Sequence, residues 1–402
     1  MEETDVTRNK GILEGIRVLD FGRYVAGPYC ATLLGYLGAE VIRIEKRDGG
    51  EDRYIAPVME SGEGGVFLQT SCNKKSITLN PRHAKAQEII EALVKSADVV
   101  VANLTEQALQ KFGISYEQLV ALKPDIILST QTAFGERGPW AGKGGFDGVG
   151  QAMSGAAYMS GIEGEPVKAA APYVDYSTAV MSAFGVMAAL FEREKTGKGQ
   201  QVEASLLSTA LSVFNSHLVE QSVTRIDRSP SGNRVQTSAP SDVFACADGH
   251  ILVHVVGNGL FKRCAQLIGA DEWLADSGLQ TDQDRGDRRD ELCQRMAEWI
   301  KAQTQEEALS ALEKAGVPAG PVLNLQQALD HPQVKAMNCL KEVDYPGLAN
   351  SARVSDLPLN FSRNPGGIHQ RPPQLGEHSV EILSSLGFTD EQVKQFRKEG
   401  VI

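Results

Sequence analysis

One carboxylate in this sequence stands where an acid can act as a nucleophile. Asp175 lies in Ala171-Pro-Tyr-Val-Asp-Tyr-Ser-Thr-Ala179, directly ahead of a helix predicted from Tyr176 to Lys195. An aspartate there can serve as an N-cap, accepting a backbone N–H. A carboxylate at a helix N-terminus also stays ionised and can attack an electrophile. Position admits both roles. Lys46, Arg47, Arg82 and Lys111 are bases placed near predicted strand ends. Such bases can hold phosphate as ion pairs, and they equally fit solvated surface charge.

Other chemistries lack their residues. A dinucleotide fingerprint needs three glycines as GxGxxG, but Gly22-Arg-Tyr-Val-Ala-Gly27 carries Tyr24 in place of the middle one. No GxxxxGK[ST] and no HExxH occurs. Among the seven histidines only His250 and His254 share a spacing, and in a predicted strand they read as hairpin surface, so no metal site is expected. The six cysteines, Cys30, Cys72, Cys246, Cys264, Cys293 and Cys339, are scattered without a CxxC, which predicts buried reduced thiols.

The elements that must position these residues alternate. Ile16–Phe21 is a β-branched strand, Tyr29–Leu37 a helix stopped by Gly38, and Glu40–Glu45 a second strand. That is a βαβ unit, implying parallel strands with a right-handed crossover. Strands at 75–80, 98–102 and 125–130 alternate with helices at 84–96 and 106–123, the latter broken by Gly113. The pattern predicts a doubly wound, Rossmann-like α/β domain. Ligands then bind at the carboxyl ends of the strands. Past Arg137 the chain turns glycine-rich. A strand at 201–203 and a helix at 206–220 follow the long helix, and 222–240 reads as a polar linker. Val243–Ala247, Asp248-Gly249 and Ile251–Val256 form a hairpin signature. Helices are predicted near 259–268, 291–315 and 325–329, and a last one at 379–386.

The chain has 402 residues, 42% of them hydrophobic, which favours two domains. Forty basic against 51 acidic residues give a net charge of −11, a poor footprint for nucleic acid. The acidic start Met1-Glu-Glu-Thr-Asp5 is not a signal peptide. No uninterrupted apolar stretch reaches the roughly 20 residues of a membrane span. The expected location is cytoplasmic.

A set of ordered segments carries a resemblance. They are Leu13-Glu-Gly-Ile-Arg-Val-Leu-Asp20, Ala26-Gly-Pro28, Leu37-Gly-Ala-Glu-Val-Ile-Arg-Ile-Glu45, Asn73-Lys-Lys-Ser-Ile77, Phe134-Gly-Glu-Arg-Gly-Pro139, the Asp175 segment, Glu194-Lys-Thr-Gly-Lys-Gly-Gln200 and Leu375-Gly-Glu-His378. Together they resemble the class III (CaiB/BaiF-type) CoA-transferase family, which includes formyl-CoA transferase, carnitine CoA-transferase and, as a side branch, α-methylacyl-CoA racemase. The resemblance implies a Rossmann-like large domain built from both chain ends, here 1–221 and 330–402, with an inserted small α+β domain at 241–329. It also implies an interlocked homodimer. Asp175 matches the catalytic aspartate. The implied CoA contacts are Tyr24, Val25, Ala26, Lys46, Arg47, Leu79, Asn80, Arg82, Asn103, Leu104, Thr105, Lys111, Ala133, Phe134 and Gly135. CoA is then a substrate, with no permanently bound cofactor and no nucleic-acid or membrane partner.

Departures from the family patterns narrow the implied reaction. Val235-Gln-Thr-Ser-Ala-Pro-Ser241 replaces the glycine run of the formyl-CoA branch, whereas Ala245-Cys-Ala-Asp-Gly-His250 looks closer to the carnitine branch. The racemase branch places a histidine in Gly-His-Asp, and here the segment is Gly145-Phe146-Asp147. Phenylalanine carries no proton, so transfer is expected over racemisation. Arg23 could pair with the second carboxylate of a dicarboxylate acceptor, with succinyl-CoA as donor. Racemase or isomerase activity and a non-catalytic CoA-binding role are the alternatives.

Overall fold

The computed structural model describes residues 11–402; the acidic start at Met1–Asp5 lies outside them. By its internal contacts the chain forms two compact units. The larger comprises residues up to Ser154, Ala169–Val223 and Ala336–Ile402, and the smaller Gly155–Lys168 and Thr224–Lys335. The glycine-rich 155–168 segment and the 222–240 stretch expected to be a linker thus fall mostly within the smaller unit.

The larger unit is built on six parallel strands: β1 (Arg17–Asp20), β2 (Glu40–Glu45), β3 (Lys74–Thr78), β4 (Val99–Ala102), β5 (Ile127–Thr132) and β6 (Gln201–Ser205). Their order is β3-β2-β1-β4-β5-β6, the doubly wound arrangement with its switch point between β1 and β4. Successive strand residues face opposite sides of the sheet, and residues two apart share a side. Leu19, Val100 and Ala102 therefore enter one core with Ile89, Leu93 and Leu119. Val18, Val99 and Val101 enter the other, against the helices Ala26–Tyr36 and Tyr173–Thr196. A sheet covered on both faces needs strands without polar alternation, and β4 reads Val-Val-Val-Ala, every residue buried.

Local signals explain the breaks. Gly113 ends the helix Glu106–Phe112 at φ 74°, where a side chain would be strained, and Ser115 with Gln118 forms the capping box that starts Tyr116–Leu122. The helix Tyr173–Thr196 buries Val174, Thr178, Ala179, Ser182, Val186, Ala189, Leu190 and Arg193 at helical spacing. Val180, Met181, Phe184 and Phe191 stand exposed on its other side. This helix is long and apolar enough to cross a membrane by length and composition, with 44% of its apolar window buried. Helix Asp390–Glu399, opened by a Thr389–Gln392 capping box, follows Ser379–Ser385, so the latter is not the last helix as expected.

In the smaller unit β7 (Asp242–Ala245), β8 (His250–Val253) and β9 (Ala319–Pro321) form an antiparallel sheet. Ile251 and Val253 face a core with Phe261, Trp273, Leu292 and Met296. His250 and His254 lie on the opposite, exposed side. All six cysteines are free; Cys30, Cys72, Cys264 and Cys293 are buried, and Cys246 and Cys339 partly so.

Candidate active site

Asp175 occupies the first turn of the helix Tyr173–Thr196, but it is not the cap. Pro172 holds the N-cap position and makes no side-chain cap bond. The orphan N–H groups go instead to Asp147, whose Oδ1 accepts from Val174 N at 2.7 Å and Asp175 N at 3.2 Å. Asp147 is buried, and its Oδ2 accepts from Gln151 Nε2 at 2.5 Å. Gln151 Oε1 in turn accepts from Ala169 N at 2.8 Å. A carboxylate from a distant segment thus does the capping, which releases the Asp175 side chain for other work. Among the described residues no hydrogen bond or ion pair reaches the Asp175 carboxylate. Burial, and then the nearby Asp147 charge, push its pKa up from 3.8 to about 7. A carboxylate of that basicity is a stronger nucleophile than an exposed one.

The strand ends gather most of the other predicted residues along one edge of the sheet. Leu79, Asn80 and Arg82 follow β3; Lys46 and Arg47 follow β2; Tyr24–Ala26 follow β1; Asn103–Thr105 follow β4; and Ala133–Gly135 follow β5. At the switch point Asn103 clamps the β1 turn. Arg23 N donates to Asn103 Oδ1, and Asn103 Nδ2 donates to Arg23 O, both at 2.6 Å. Tyr24 takes φ 62°, the left-handed conformation that glycine favours, at the position where the fingerprint glycine is missing. Its ring meets the exposed Phe146 edge-to-face at 5.2 Å, linking this turn to the residue before Asp147.

Individual positions differ in what they can contribute. Val25, Ala26 and Leu79 are buried and offer a ligand little beyond backbone. Thr105 caps the helix that carries Lys111, accepting from Ala108 N at 3.3 Å. Phe134 packs edge-to-face on Trp140. Lys46 is engaged by Glu51. Arg47, Arg82 and Lys111 are exposed and carry no ion pair among the described residues. On a chain of net charge −11, three unpaired cations near one end of the sheet suit a polyanion. The Arg23 guanidinium lies back on Gly22 O and Ile44 O at 3.1 and 3.4 Å.

A feature beneath this edge has no signal in composition or spacing. Asp20, Arg43, Glu45, Asp52, Arg53 and Lys74 are each at most 1% exposed. Lys74 Nζ meets Asp20 Oδ2 at 2.7 Å and donates to Pro28 O at 2.7 Å. Arg43 pairs with Asp52 at 2.5 Å and Arg53 with Glu45 at 2.7 Å. Burial alone would raise both carboxyls; Lys74 and Arg43 keep Asp20 low, and Arg43 and Arg53 hold Glu45 at about 2. Asp20 Oδ1 also accepts from Gly22 N at 2.8 Å, so this cluster anchors the turn that Asn103 clamps.

The fold is that of CoA-transferase family III. That family's sequence profile matches residues 13–379, and the chain belongs to it. Among its relatives is a succinyl-CoA–D-citramalate CoA-transferase of Chloroflexus aurantiacus, 31% identical over 97% of this chain and 98% of that protein. A succinyl-CoA:mesaconate CoA-transferase of Haloarcula marismortui is 32% identical over 94% of this chain and 97% of its own length. A crystal structure of a CaiB/BaiF family protein from Brucella suis superposes with TM-score 0.82 at 29% identity, covering 94% of this chain and all of that one.

Proposed function

We propose that this protein transfers CoA from an acyl-CoA to a small carboxylic acid through a covalent intermediate on Asp175. The observation that carries this reading is the Asp175 carboxylate itself, unpaired, partly buried and raised to about 7 at the head of a helix capped by Asp147. The carboxylate oxygen attacks the donor thioester carbonyl; the C–S bond breaks, leaving an acyl-aspartyl anhydride and CoA thiolate. The thiolate attacks the aspartyl carbonyl and expels the donor acid as its carboxylate, leaving an aspartyl-CoA thioester. The acceptor carboxylate then attacks that thioester, and the released thiolate takes the acceptor acyl group, restoring Asp175. No electrons are gained or lost, and no outside proton is needed. Splitting the exchange into such steps is the gain of covalent catalysis, and each oxyanion needs hydrogen-bond donors. Arg47, Arg82 and Lys111 supply charge for the CoA phosphates, and the strand-end backbone supplies the remaining contacts.

The acceptor is a dicarboxylate, with succinyl-CoA as donor. Two relatives carry such substrates in their names, and Arg23 at the β1 turn supplies a cation. The working unit is a homodimer. Val180, Met181, Phe184 and Phe191 form an exposed apolar stripe on one helix, part of it lining a groove of about 770 Å³, a surface that a second copy would cover.

The test incubates purified protein with succinyl-CoA and follows the peptide containing Asp175 by mass spectrometry, beside a transfer assay over citramalate, mesaconate, glutarate and carnitine. A CoA or succinyl adduct on Asp175 and loss of transfer in Asp175→Ala are expected. Near-normal turnover by a folded Asp175→Ala protein would sink the covalent mechanism.

A further inference from the structure

The carboxyl ends of β5 and β6 hold a polar pocket of about 180 Å³, which borders Gly135 and shares Glu203, Ala204 and Ser208 with the apolar groove, but whose carboxylates the CoA-transfer reading does not use. Thr130 and Thr132 of β5 pair in register with Glu203 and Ser205 of β6. With period two, each strand presents both of its residues on one face. Glu136, from the loop after β5, and Ser208 complete the polar wall. The Glu136 and Glu203 carboxyls approach each other closely enough to hydrogen-bond. Neither has an ion pair among the described residues. Gln201 Nε2 donates to Glu136 Oε1 at 3.2 Å, and Ser205 and Ser208 bond to each other at 2.8 Å.

A pair of surface carboxylates alone would signify little. Thr130 is the independent observation. It is 2% exposed, lines this pocket, and its Oγ1 has no hydrogen-bond partner. Buried hydroxyls are nearly always satisfied, so an unmet one on a residue that lines the same pocket as two carboxylates marks a place for a positively charged or donating ligand. The side chains lining the pocket offer oxygen and no lysine, arginine or histidine.

We propose that this pocket binds a hard divalent cation, calcium or magnesium, through Glu136 and Glu203, with the Thr130 hydroxyl and water completing the shell. Oxygen-only ligands suit calcium and magnesium and disfavour zinc or copper. A volume of about 180 Å³ holds an ion together with several waters, each taking about 30 Å³. Two carboxylates make a weak site, with a dissociation constant on the order of 10⁻⁴–10⁻³ M. Such an ion would tie the Ala133–Gly135 loop to β6.

The experiment is isothermal titration of the whole protein with calcium chloride and with magnesium chloride at fixed ionic strength, with sodium chloride as control. The same titrations are run on Glu136→Gln, Glu203→Gln and Thr130→Val. Both glutamates are exposed and Thr130→Val keeps its shape, so all three variants should fold. One-to-one binding of a divalent ion, weakened at least about tenfold by either glutamine and several-fold by valine, is expected; the stronger ion names the occupant. Absence of saturable binding at tens of millimolar would overturn the proposal. So would heats that sodium chloride or the two glutamine variants reproduce, because they would mean diffuse attraction to an acidic chain.

Discussion

Replacing Asp175 by asparagine should stabilise the protein above neutral pH, and the size of the gain follows from the site. Burial and Asp147 raise the Asp175 pKa from 3.8 to about 7. The rise is about three pH units, which at ~1.4 kcal/mol each is about 4 kcal/mol against the ionised folded form. Asp175 keeps some contact with water, which screens the penalty to about 2 kcal/mol. The sign follows from proton counts. Between pH 3.8 and about 7 the folded chain holds a proton on Asp175 that the unfolded chain has released. Stability therefore falls as pH rises through that window and levels off above it. Asparagine titrates nowhere and keeps the same shape. The difference between Asp175→Asn and wild type should be near zero at pH 4, grow through pH 5–7 and plateau at pH 8. Scanning calorimetry without CoA or acids, at several pH values, measures it as a rise of a few degrees in the transition of the larger unit. A difference independent of pH, or a variant less stable at pH 8 than at pH 4 relative to wild type, would refute the claim that burial and Asp147 tune this carboxyl.

Asp147 should separate into two roles. Asp147→Asn keeps an acceptor for the helix N–H groups and removes the charge, so the acid limb of kcat/KM against pH should move to lower pH. Asp147→Ala loses the cap as well, at about 1 kcal/mol of stability; equal pH profiles for wild type and Asp147→Asn would exclude the electrostatic role. Lys74→Met should cost about 3–5 kcal/mol, because buried Asp20 loses its closest partner and keeps only Arg43 at 3.8 Å; denaturation showing under 1 kcal/mol would mean the cluster is not ionised. Arg47→Ala, Arg82→Ala and Lys111→Ala should each raise KM for the acyl-CoA several-fold with little change in kcat, and salt should weaken wild-type binding. A KM that none of the three moves would remove the phosphate reading.

The parallel sheet was legible because buried strands such as β4 have no polar alternation and because glycine closes the helices between them. The resemblance pointed to Asp175, but position alone made it an N-cap. Asp147, which does the capping, lies 28 residues earlier, and no local pattern reports which distant side chain reaches a helix end. Phe146 drew notice for what it cannot do; its contact with Tyr24 depends on a backbone conformation that a tyrosine seldom adopts. Hairpin Leu340–Val343 with Ala352–Ser355 and strand β9 were not expected from the sequence. Each is four residues or fewer, too short for alternation to rise above its surroundings. The charged residues of β1, β2 and β3 look like interruptions of apolar strands until pairing sets each acid against a base.

That buried cluster limits how relatives of this protein can diverge. Three acids and three bases cancel, and removing one leaves an unpaired charge that water cannot reach. A lineage can replace the set only by changing partners together, or by passing through a poorly folded intermediate. Substitutions at Asp20 and Lys74, on strands 54 residues apart, and at Glu45 and Arg53, only 8 residues apart, should therefore arrive as pairs. Exposed positions above them such as Arg47 and Arg82, which carry no ion pair among the described residues, are free to change one residue at a time over the same charged floor.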